Sequence, residues 1–230
     1  MSKKALKIAF RDTVPVMTGY IFLGMGFGIL LNQSGYGVFW ALCMAICMFA
    51  GSGQYLAVSL MAGRASLVTT AIAMFLLNAR HIFYGLSLLE PYQHAGKKKP
   101  YLIFGLTDET YSLVTQNEPP EGVSRHTYCF LVTFLDHIYW ICGCVLGNVA
   151  GMLLPVDLKG VEFVLTALFV TMFVEQWLTH KDHRPALIGL GATALCLVIF
   201  AKDLFLIPSM LLIALLLMIS RKTGRRMENV

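Results

Sequence analysis

Apolar stretches follow one another along almost the whole chain, and only short hydrophilic breaks separate them. A helix that crosses a bilayer needs about 20 apolar residues. The stretches that reach or approach this length are about 14–31, 38–62, 65–89, 127–154, 161–178, 185–201 and 203–220. An eighth, 101–116, is shorter and amphipathic, because Asp108, Tyr111 and Thr115 fall on one helical face. The pattern predicts an all-α, polytopic membrane protein with about 6–8 transmembrane helices, forming a single domain over 1–230.

Two of these stretches carry signs of irregular backbone. The second contains FAGSGQY at 49–55, where two glycines and a serine weaken the helical ladder, so a broken or re-entrant helix is predicted near 50–54. The third contains FLLNARHIFYG at 75–85. On a straight helix Arg80 and Tyr84 share one face, whereas Asn78 and His81 share another. Either the helix breaks near these residues, or the two faces serve different partners.

The composition supports a membrane protein. Only 13% of the residues are charged and 57% are hydrophobic, whereas an ordinary soluble domain carries about 25% charged residues. The net charge of +5 does not indicate nucleic-acid binding, since the basic residues flank apolar segments. The first apolar run lacks a cleavage motif and is expected to remain as a helix. The six cysteines lie in apolar segments, where we expect small hydrophobes rather than disulfides or metal ligands.

The basic flanks predict that both termini face the cytoplasm, which requires an even number of crossings. If all eight stretches span, Lys97–Lys99 lies outside, against the positive-inside rule. If 38–62 only re-enters and 101–116 does not span, the three lysines also lie inside. The sequence leaves both arrangements open.

A similar order of residues occurs twice and suggests an internal repeat. The first copy is Asp12 with Gly19, Gly24 and Gly28, followed by Gln54-Tyr55-Leu56; the second is Asp136 with Gly143, Gly147 and Gly151, followed by Gln176-Trp177-Leu178. Duplicated halves with discontinuous helices are typical of secondary transporters. The glycine spacings by themselves predict close helix packing.

Ionisable residues within the apolar segments are the candidates for function, because each costs about 2.5–3.5 kcal/mol at a helix centre. They are Arg80, His81, Asp108, Glu109, Asp136, His137 and Glu175, with Gln54, Asn78, Asn148 and Gln176 as neutral companions. One alternative is purely structural: Arg80 pairs with one of the carboxylates and ties two helices together. Asn78 and His81 are equally compatible with hydrogen bonds to a neighbouring helix.

The chemistry of this set fits a zwitterion with an apolar side chain. The forked donor of an arginine suits a carboxylate, an Asp or Glu suits an ammonium or a proton, and Met, Phe, Leu and Val line the helices. Enzyme motifs for zinc hydrolysis, acyl transfer and phosphate binding are missing from the sequence. A rhomboid-like protease would need the serine of FAGSGQ with His81 or His137 as its base.

Four stretches together resemble the AzlC-type branched-chain amino-acid exporters. They are FRDTVPVMTGYIFLGMGFGIL, FAGSGQY, FLLNARHIFYGLSL and GLTDETYSL, in that family's order. The resemblance implies a bacterial inner-membrane exporter of leucine, isoleucine and valine, with methionine as a further substrate. It also implies a small hydrophobic AzlD-type subunit and no cofactor. The family's motif positions are Gln54, Asn78, Arg80, His81, Tyr84, Asp108 and Glu109.

These observations predict a two-component exporter that works by alternating access and is driven by the proton gradient. Arg80 is predicted to hold the substrate carboxylate, with Gln54 and Asn78 as neutral contacts and His81 and Tyr84 beside them. Asp108, Glu109, Asp136 and Glu175 are the candidates for the proton or ammonium role. The alternative is a non-transporting membrane subunit that supports a partner. A passive channel is disfavoured, because no ring of like charges is present.

Overall fold

The computed structural model describes residues 3–119, 122–153, 170, 173–174, 177–178, 183–200, 208–209, 211–213 and 215–218. The chain divides into two compact units, Met1–Leu165 and Thr166–Val230. Every regular element within the described residues is a helix, which confirms the all-α prediction. Glu175 and Gln176 lie outside the described residues, as does most of the predicted helices 161–178 and 203–220. The number of crossings, the internal repeat and the single domain stay predictions.

The first unit contains eight α-helices within its described residues. These are α1 Lys3–Gln33, α2 Val38–Cys47, α3 Gly51–Ala62, α4 Leu67–Asn78, α5 Arg80–Ser87, α6 Lys99–Phe104, α7 Asp108–Gln116 and α8 Arg125–Leu153. In the second unit, α9 is Arg184–Ile199. By length and composition α1 and α8 can each cross a membrane, and α4 with α5 qualifies as one span bent by 46°.

Glycines bring α1 and α8 into backbone contact. A Cβ on Gly28 would collide with the backbone of Cys144 and Asn148, and one on Gly147 would collide with Met25. The amide of Asn148 also donates to Gly28 O at 3.1 Å. The predicted close packing is confirmed, because only glycine lets two helix backbones approach this far.

The two long helices run parallel. Tyr128, near the start of α8, donates to Asp12 Oδ2 at 3.0 Å, and Met25 contacts Gly147 farther along both helices. The loop before α6 lies at the end where both helices start, since Lys98 Nζ donates to Thr127 Oγ1 at 3.1 Å. Buried side chains of Ala5, Tyr92 and Tyr128 form one core cluster there. The three-lysine loop and the start of α1 therefore share one end of the helix pair.

The segment 38–62 is broken at 48–50, just before most of the predicted position 50–54, and the two glycines and the serine lie inside the second helix. Helix α2 ends at Cys47 and α3 begins at Gly51, and Ala50 between them is extended, with φ −147° and ψ 91°. A Cβ on Gly51 would lie only 3.0 Å from the indole ring of Trp140. The absence of a side chain at this position therefore leaves room for the ring. Whether the segment re-enters stays a prediction.

The stretch 101–116 is divided between two helices, and the polar face of Asp108, Tyr111 and Thr115 lies within the second of them. The chain leaves the helical conformation after Phe104, and Thr107 begins a new helix by accepting a hydrogen bond from Thr110 N at 3.2 Å. Such a capping side chain satisfies an amide that has no helical partner. Asp108 and Glu109 consequently occupy the first turn of α7, where the helix dipole favours negative charge.

The third stretch breaks between α4 and α5, which is the first of the two alternatives left open by the sequence. Neither proline nor glycine stands at this bend. Instead, side chains form hydrogen bonds with backbone carbonyl oxygens that would accept from backbone amides in a regular helix. Asn78 Nδ2 donates to Met74 O at 3.0 Å, and His81 Nδ1 lies 3.1 Å from Asn78 O. Ile82 N instead donates to Ala79 O, one residue short of the α-helical pattern. Competition for these carbonyls explains the kink.

Candidate functional site

Arg80 joins the starts of two other helices. Its Nη1 lies 2.9 Å from Asp108 Oδ2, on the first residue of α7. Its Nη2 donates to Ser52 Oγ at 3.2 Å, in the first turn of α3. Helix N-termini carry partial positive charge, so a guanidinium between two of them needs negative charge nearby. Asp108 supplies one carboxylate, and a substrate carboxylate would be favoured by the same field.

Four polar atoms on Arg80, its ion-pair partner Asp108 and the predicted neutral contacts Gln54 and Asn78 are buried and have no hydrogen-bond partner. They are Arg80 Nε, Gln54 Nε2, Asn78 Oδ1 and Asp108 Oδ1. Buried polar groups are nearly always paired, so unpaired ones need an explanation. Two of these atoms are donors and two are acceptors. The set therefore offers two unpaired donors and two unpaired acceptors.

Gln54 is held in one orientation. Its side chain is fully buried, and Trp140 Nε1 donates to Gln54 Oε1 at 2.7 Å. An indole N–H only donates, so the carbonyl of the amide must face Trp140, and Nε2 remains available. Sequence reasoning placed Gln54 in the site but missed Trp140, which carries no motif in an apolar helix.

The other predicted residues of 75–85 lie beside the break. Asn78 and His81 bond to the helix's own carbonyls, as described above, rather than to a neighbouring helix. Tyr84 stacks on Tyr111 of α7, with ring centroids 4.5 Å apart, and meets the edge of His81 at 5.7 Å. Arg80 and Tyr84 therefore both face α7, as their shared helical face predicts.

A second polar cluster links two carboxylates through three hydroxyl groups. Tyr20 OH lies 2.8 Å from Glu109 Oε2 and 2.6 Å from Thr107 Oγ1. Thr107 Oγ1 lies 3.0 Å from Thr110 Oγ1, which lies 2.8 Å from Asp136 Oδ2. The structure thus connects two of the predicted proton-coupling residues. Tyr20 carried no sequence signal, whereas the Thr-Asp-Glu-Thr order at 107–110 is a recognisable helix start.

The protease alternative finds no support in these contacts. Ser52 bonds to Arg80, whereas His81 bonds to the backbone of α4, and His137 lies 3.1 Å from Ala45 O and 3.0 Å from Tyr101 OH. A serine nucleophile needs its base within hydrogen-bond reach. Among the described residues, no three His, Cys, Asp or Glu side chains gather as a metal site would require.

The sequence profile of one protein family, described as "AzlC protein", matches residues 15–154. The chain belongs to the AzlC family. The family resemblance predicted from the four stretches is confirmed, and the matched region contains both polar clusters from Tyr20 to Trp140.

Known relatives of this AzlC-family chain extend over almost its whole length. "Branched-chain amino acid transport protein AzlC" of Bacillus subtilis is 37% identical over 97% of this chain and 88% of the relative. A membrane protein of Haemophilus influenzae is 40% identical over 93% of this chain and 88% of the relative. The "Inner membrane protein YgaZ" of Escherichia coli is 25% identical over 80% and 78%. No solved structure matches the chain. The first name describes a transport protein, and the other two describe membrane proteins.

Proposed function

We propose that the chain is a secondary transporter that exports branched-chain amino acids across the bacterial inner membrane. The observation that carries this proposal is the set of unpaired polar atoms around Arg80. Arg80 Nε and Gln54 Nε2 are donors for a substrate carboxylate, and Asp108 Oδ1 and Asn78 Oδ1 are acceptors for its ammonium. Membership of a family whose Bacillus subtilis relative is named for branched-chain amino acids supports the same substrate class.

The substrate would enter an existing ion pair rather than an empty apolar cleft. Arg80 and Asp108 carry opposite charges, so a zwitterion can bind both of them and leave the net charge of the site unchanged. The side chains of Arg80 and Asp108 are 31% and 19% exposed. Partial exposure fits a site that must open to each side of the membrane in turn.

We also propose that two helical hairpins enter the membrane from opposite sides. Helix α2 starts near the end of α1, where Asn148 Nδ2 donates to Tyr36 O at 3.0 Å. It reaches the middle of α8, where Ala45 O lies 3.1 Å from His137 Nε2. Helix α3 then leads back, since Tyr55 OH donates to Leu23 O at 2.7 Å. Discontinuous helices of this kind form substrate sites in transporters.

The second hairpin is α6 with α7 and starts from the other side. Lys98 lies at the start of α8, whereas Thr107 and Thr110 contact the middle of α1 and α8. After α7 the chain returns to Arg125, at the start of α8, which is the side from which this second hairpin began. With 38–62 re-entering and 101–116 not spanning, Lys97–Lys99 lies on the same side as the N-terminus, in agreement with the positive-inside rule.

Reporter fusions test this topology. Fusions within Lys97–Lys99 and after Val230 are expected to be active only with a cytoplasmic reporter. Activity of a periplasmic reporter at Val230 would overturn the orientation. Activity of a periplasmic reporter within Lys97–Lys99 would instead favour eight spanning segments.

Transport is expected to use the proton gradient and a small hydrophobic AzlD-type subunit. Cells that lack this chain and receive a dipeptide rich in leucine or valine should accumulate the free amino acid, and complementation should require both subunits. Equal intracellular levels with and without the gene, for every aliphatic amino acid tried, would refute the transport function.

One observation favours the alternative of a non-transporting subunit. Arg80 already has a carboxylate partner within the chain, as a purely structural ion pair would have. The same arginine leaves Nε unpaired, which a structural pair does not explain. Variants of Arg80 separate the two functions.

A further inference from the structure

The chain of hydroxyls between Glu109 and Asp136 has a definite number of hydrogens. Five groups in the order Glu109, Tyr20, Thr107, Thr110, Asp136 leave four gaps between oxygens, all from 2.6 to 3.0 Å. Each gap needs one hydrogen. A hydroxyl supplies one hydrogen, so the three hydroxyls fill only three gaps.

Two ionised carboxylates would therefore leave two hydroxyl oxygens facing each other without a hydrogen. Thr107 Oγ1 cannot adjust by turning away, because it already accepts from Thr110 N at 3.2 Å. Two protonated carboxyls would bring five hydrogens to four gaps. One protonated and one ionised carboxyl fill all four gaps.

We propose that Glu109 and Asp136 share a single proton, which moves between them through the hydroxyls of Tyr20, Thr107 and Thr110. When Asp136 gives its proton to Thr110, Thr110 gives its own to Thr107, Thr107 to Tyr20, and Tyr20 to Glu109. Each hydroxyl oxygen loses one hydrogen and gains one. One proton has then moved from Asp136 to Glu109, and the net charge of the five linked groups stays −1.

The surroundings support one proton on the pair. Asp136 is fully buried and its Oδ1 has no hydrogen-bond partner, and the described residues contain no cation paired with either carboxylate. An unpaired buried charge is costly, and the shared proton halves the charge of the pair. Each carboxylate has one hydrogen bond to the hydroxyl chain, Glu109 with Tyr20 and Asp136 with Thr110, so these two contacts do not by themselves fix the proton at either end.

Other ionisable groups near the chain have partners of their own. Arg80 and Asp108 pair with each other beside Glu109. On α8, His137 bonds to Ala45 O and Tyr101 OH. On α1, Asp12 lies 3.1 Å from Arg11 and accepts from Tyr128 OH. None of these groups interrupts the four gaps.

The inference deepens the proposed function and rests on it only for the coupling to transport. Asp108 and Glu109 are adjacent in the first turn of α7, so a substrate that changes the partner of Asp108 changes the field at Glu109. The position of the shared proton would then depend on whether substrate is bound. The shared proton itself can be measured in the purified chain without transport.

Infrared spectroscopy of the full-length protein in detergent gives the test. At about pH 7 exposed carboxyls are ionised, so the carbonyl band of a protonated acid reports buried ones. The wild-type spectrum minus that of the double variant Glu109→Gln/Asp136→Asn is expected to contain one such band. Identical spectra would show that the pair carries no proton, and would overturn the proposal.

Isotope labels decide whether the proton is shared. Carboxyl-¹³C aspartate and carboxyl-¹³C glutamate, introduced in separate preparations, should each shift part of the band. A band that responds to only one label would assign the proton to one carboxyl and overturn the sharing. In Glu109→Gln the remaining band should respond to the aspartate label alone, and in Asp136→Asn to the glutamate label alone.

Two isosteric threonine variants test the path. Thr110→Val removes the hydroxyl beside Asp136, and the band should then respond to a single label. Thr133→Val is the matched control, because Thr133 is equally buried on α8 and its hydroxyl donates to Cys129 O of the same helix at 2.9 Å. A control that behaves like Thr110→Val would overturn the path. Absence of transport by the wild-type chain would refute the proposed function and leave the infrared result unaffected.

Discussion

Replacement of Arg80 by lysine separates a substrate site from a structural ion pair. The arginine uses Nη1 for Asp108 and Nη2 for Ser52, and it keeps Nε unpaired. Lysine offers a single nitrogen on a flexible stem. It can preserve the ion pair with Asp108, but it cannot at the same time present a fork to a substrate carboxylate. Arg80→Lys is therefore expected to preserve the fold and to lower the affinity for the substrate.

The size of the effect follows from the bonds that are lost. A hydrogen bond to a charged group contributes about 1.5–3 kcal/mol, and about 1.4 kcal/mol corresponds to a factor of ten. Loss of one such bond to the substrate should raise the KM for leucine about tenfold to a hundredfold. Loss of the guanidinium bond to Ser52 should cost stability about 1.5 kcal/mol, the lower end of the same range, because the arginine side chain is 31% exposed. The amount of protein in the membrane should stay close to that of wild type.

Removal of the charge gives a different expectation. Arg80→Ala leaves Asp108 without its partner, which costs about 3–5 kcal/mol for a fully buried pair. Because the two side chains are 31% and 19% exposed, water recovers part of this cost and the loss should lie below that range. Protein abundance should still fall, and Asp108→Asn in the same chain should restore it by removing the unpaired charge.

Export and abundance must be measured together for these variants. Leucine export is followed in cells fed a leucine dipeptide, and the membrane content is followed by immunoblot. Ser52→Ala is the matched control, since it removes the neutral partner of Arg80 and leaves the guanidinium intact. Recovery of both abundance and export in Arg80→Ala/Asp108→Asn would refute the substrate role. Recovery of abundance alone would support it.

Two further substitutions test the packing on which the site depends. Gly147→Ala should destabilise the chain by about 1–3 kcal/mol, because the added Cβ meets the backbone of α1. Gly19→Ala is the control and should be neutral or stabilising, because the space around Gly19 is open. Thermal unfolding in detergent compares the two variants. Trp140→Phe should cost about 1–3 kcal/mol by leaving Gln54 Oε1 buried and unpaired, whereas Trp40→Phe at an exposed position should change little. Equal unfolding temperatures within either pair of variants would contradict the corresponding contact.

Several features of the protein could be predicted from the sequence, because they depend on local patterns. Long apolar stretches require helices in a bilayer, since each backbone polar group must be paired within its own segment. The lack of side chains at Gly24, Gly28, Gly143 and Gly147 predicts close approach wherever their helices meet. The alternation of polar residues around Asn78 and Arg80 allowed a break in the helix, and that break is present.

Other features were decided only by the tertiary structure. The sequence left four carboxylates as possible partners for Arg80. In the structure Arg80 pairs with Asp108, because a second break at 105–107 turns the start of α7 toward α5. That break was missed, since 101–116 has the period of a single amphipathic helix. The hydroxyl chain was also invisible, because Tyr20 and Asp136 come from helices more than a hundred residues apart in sequence. Their connection through Thr107 and Thr110 depends on the parallel packing of α1 and α8, and no local pattern specifies which residues of two packed helices face one another.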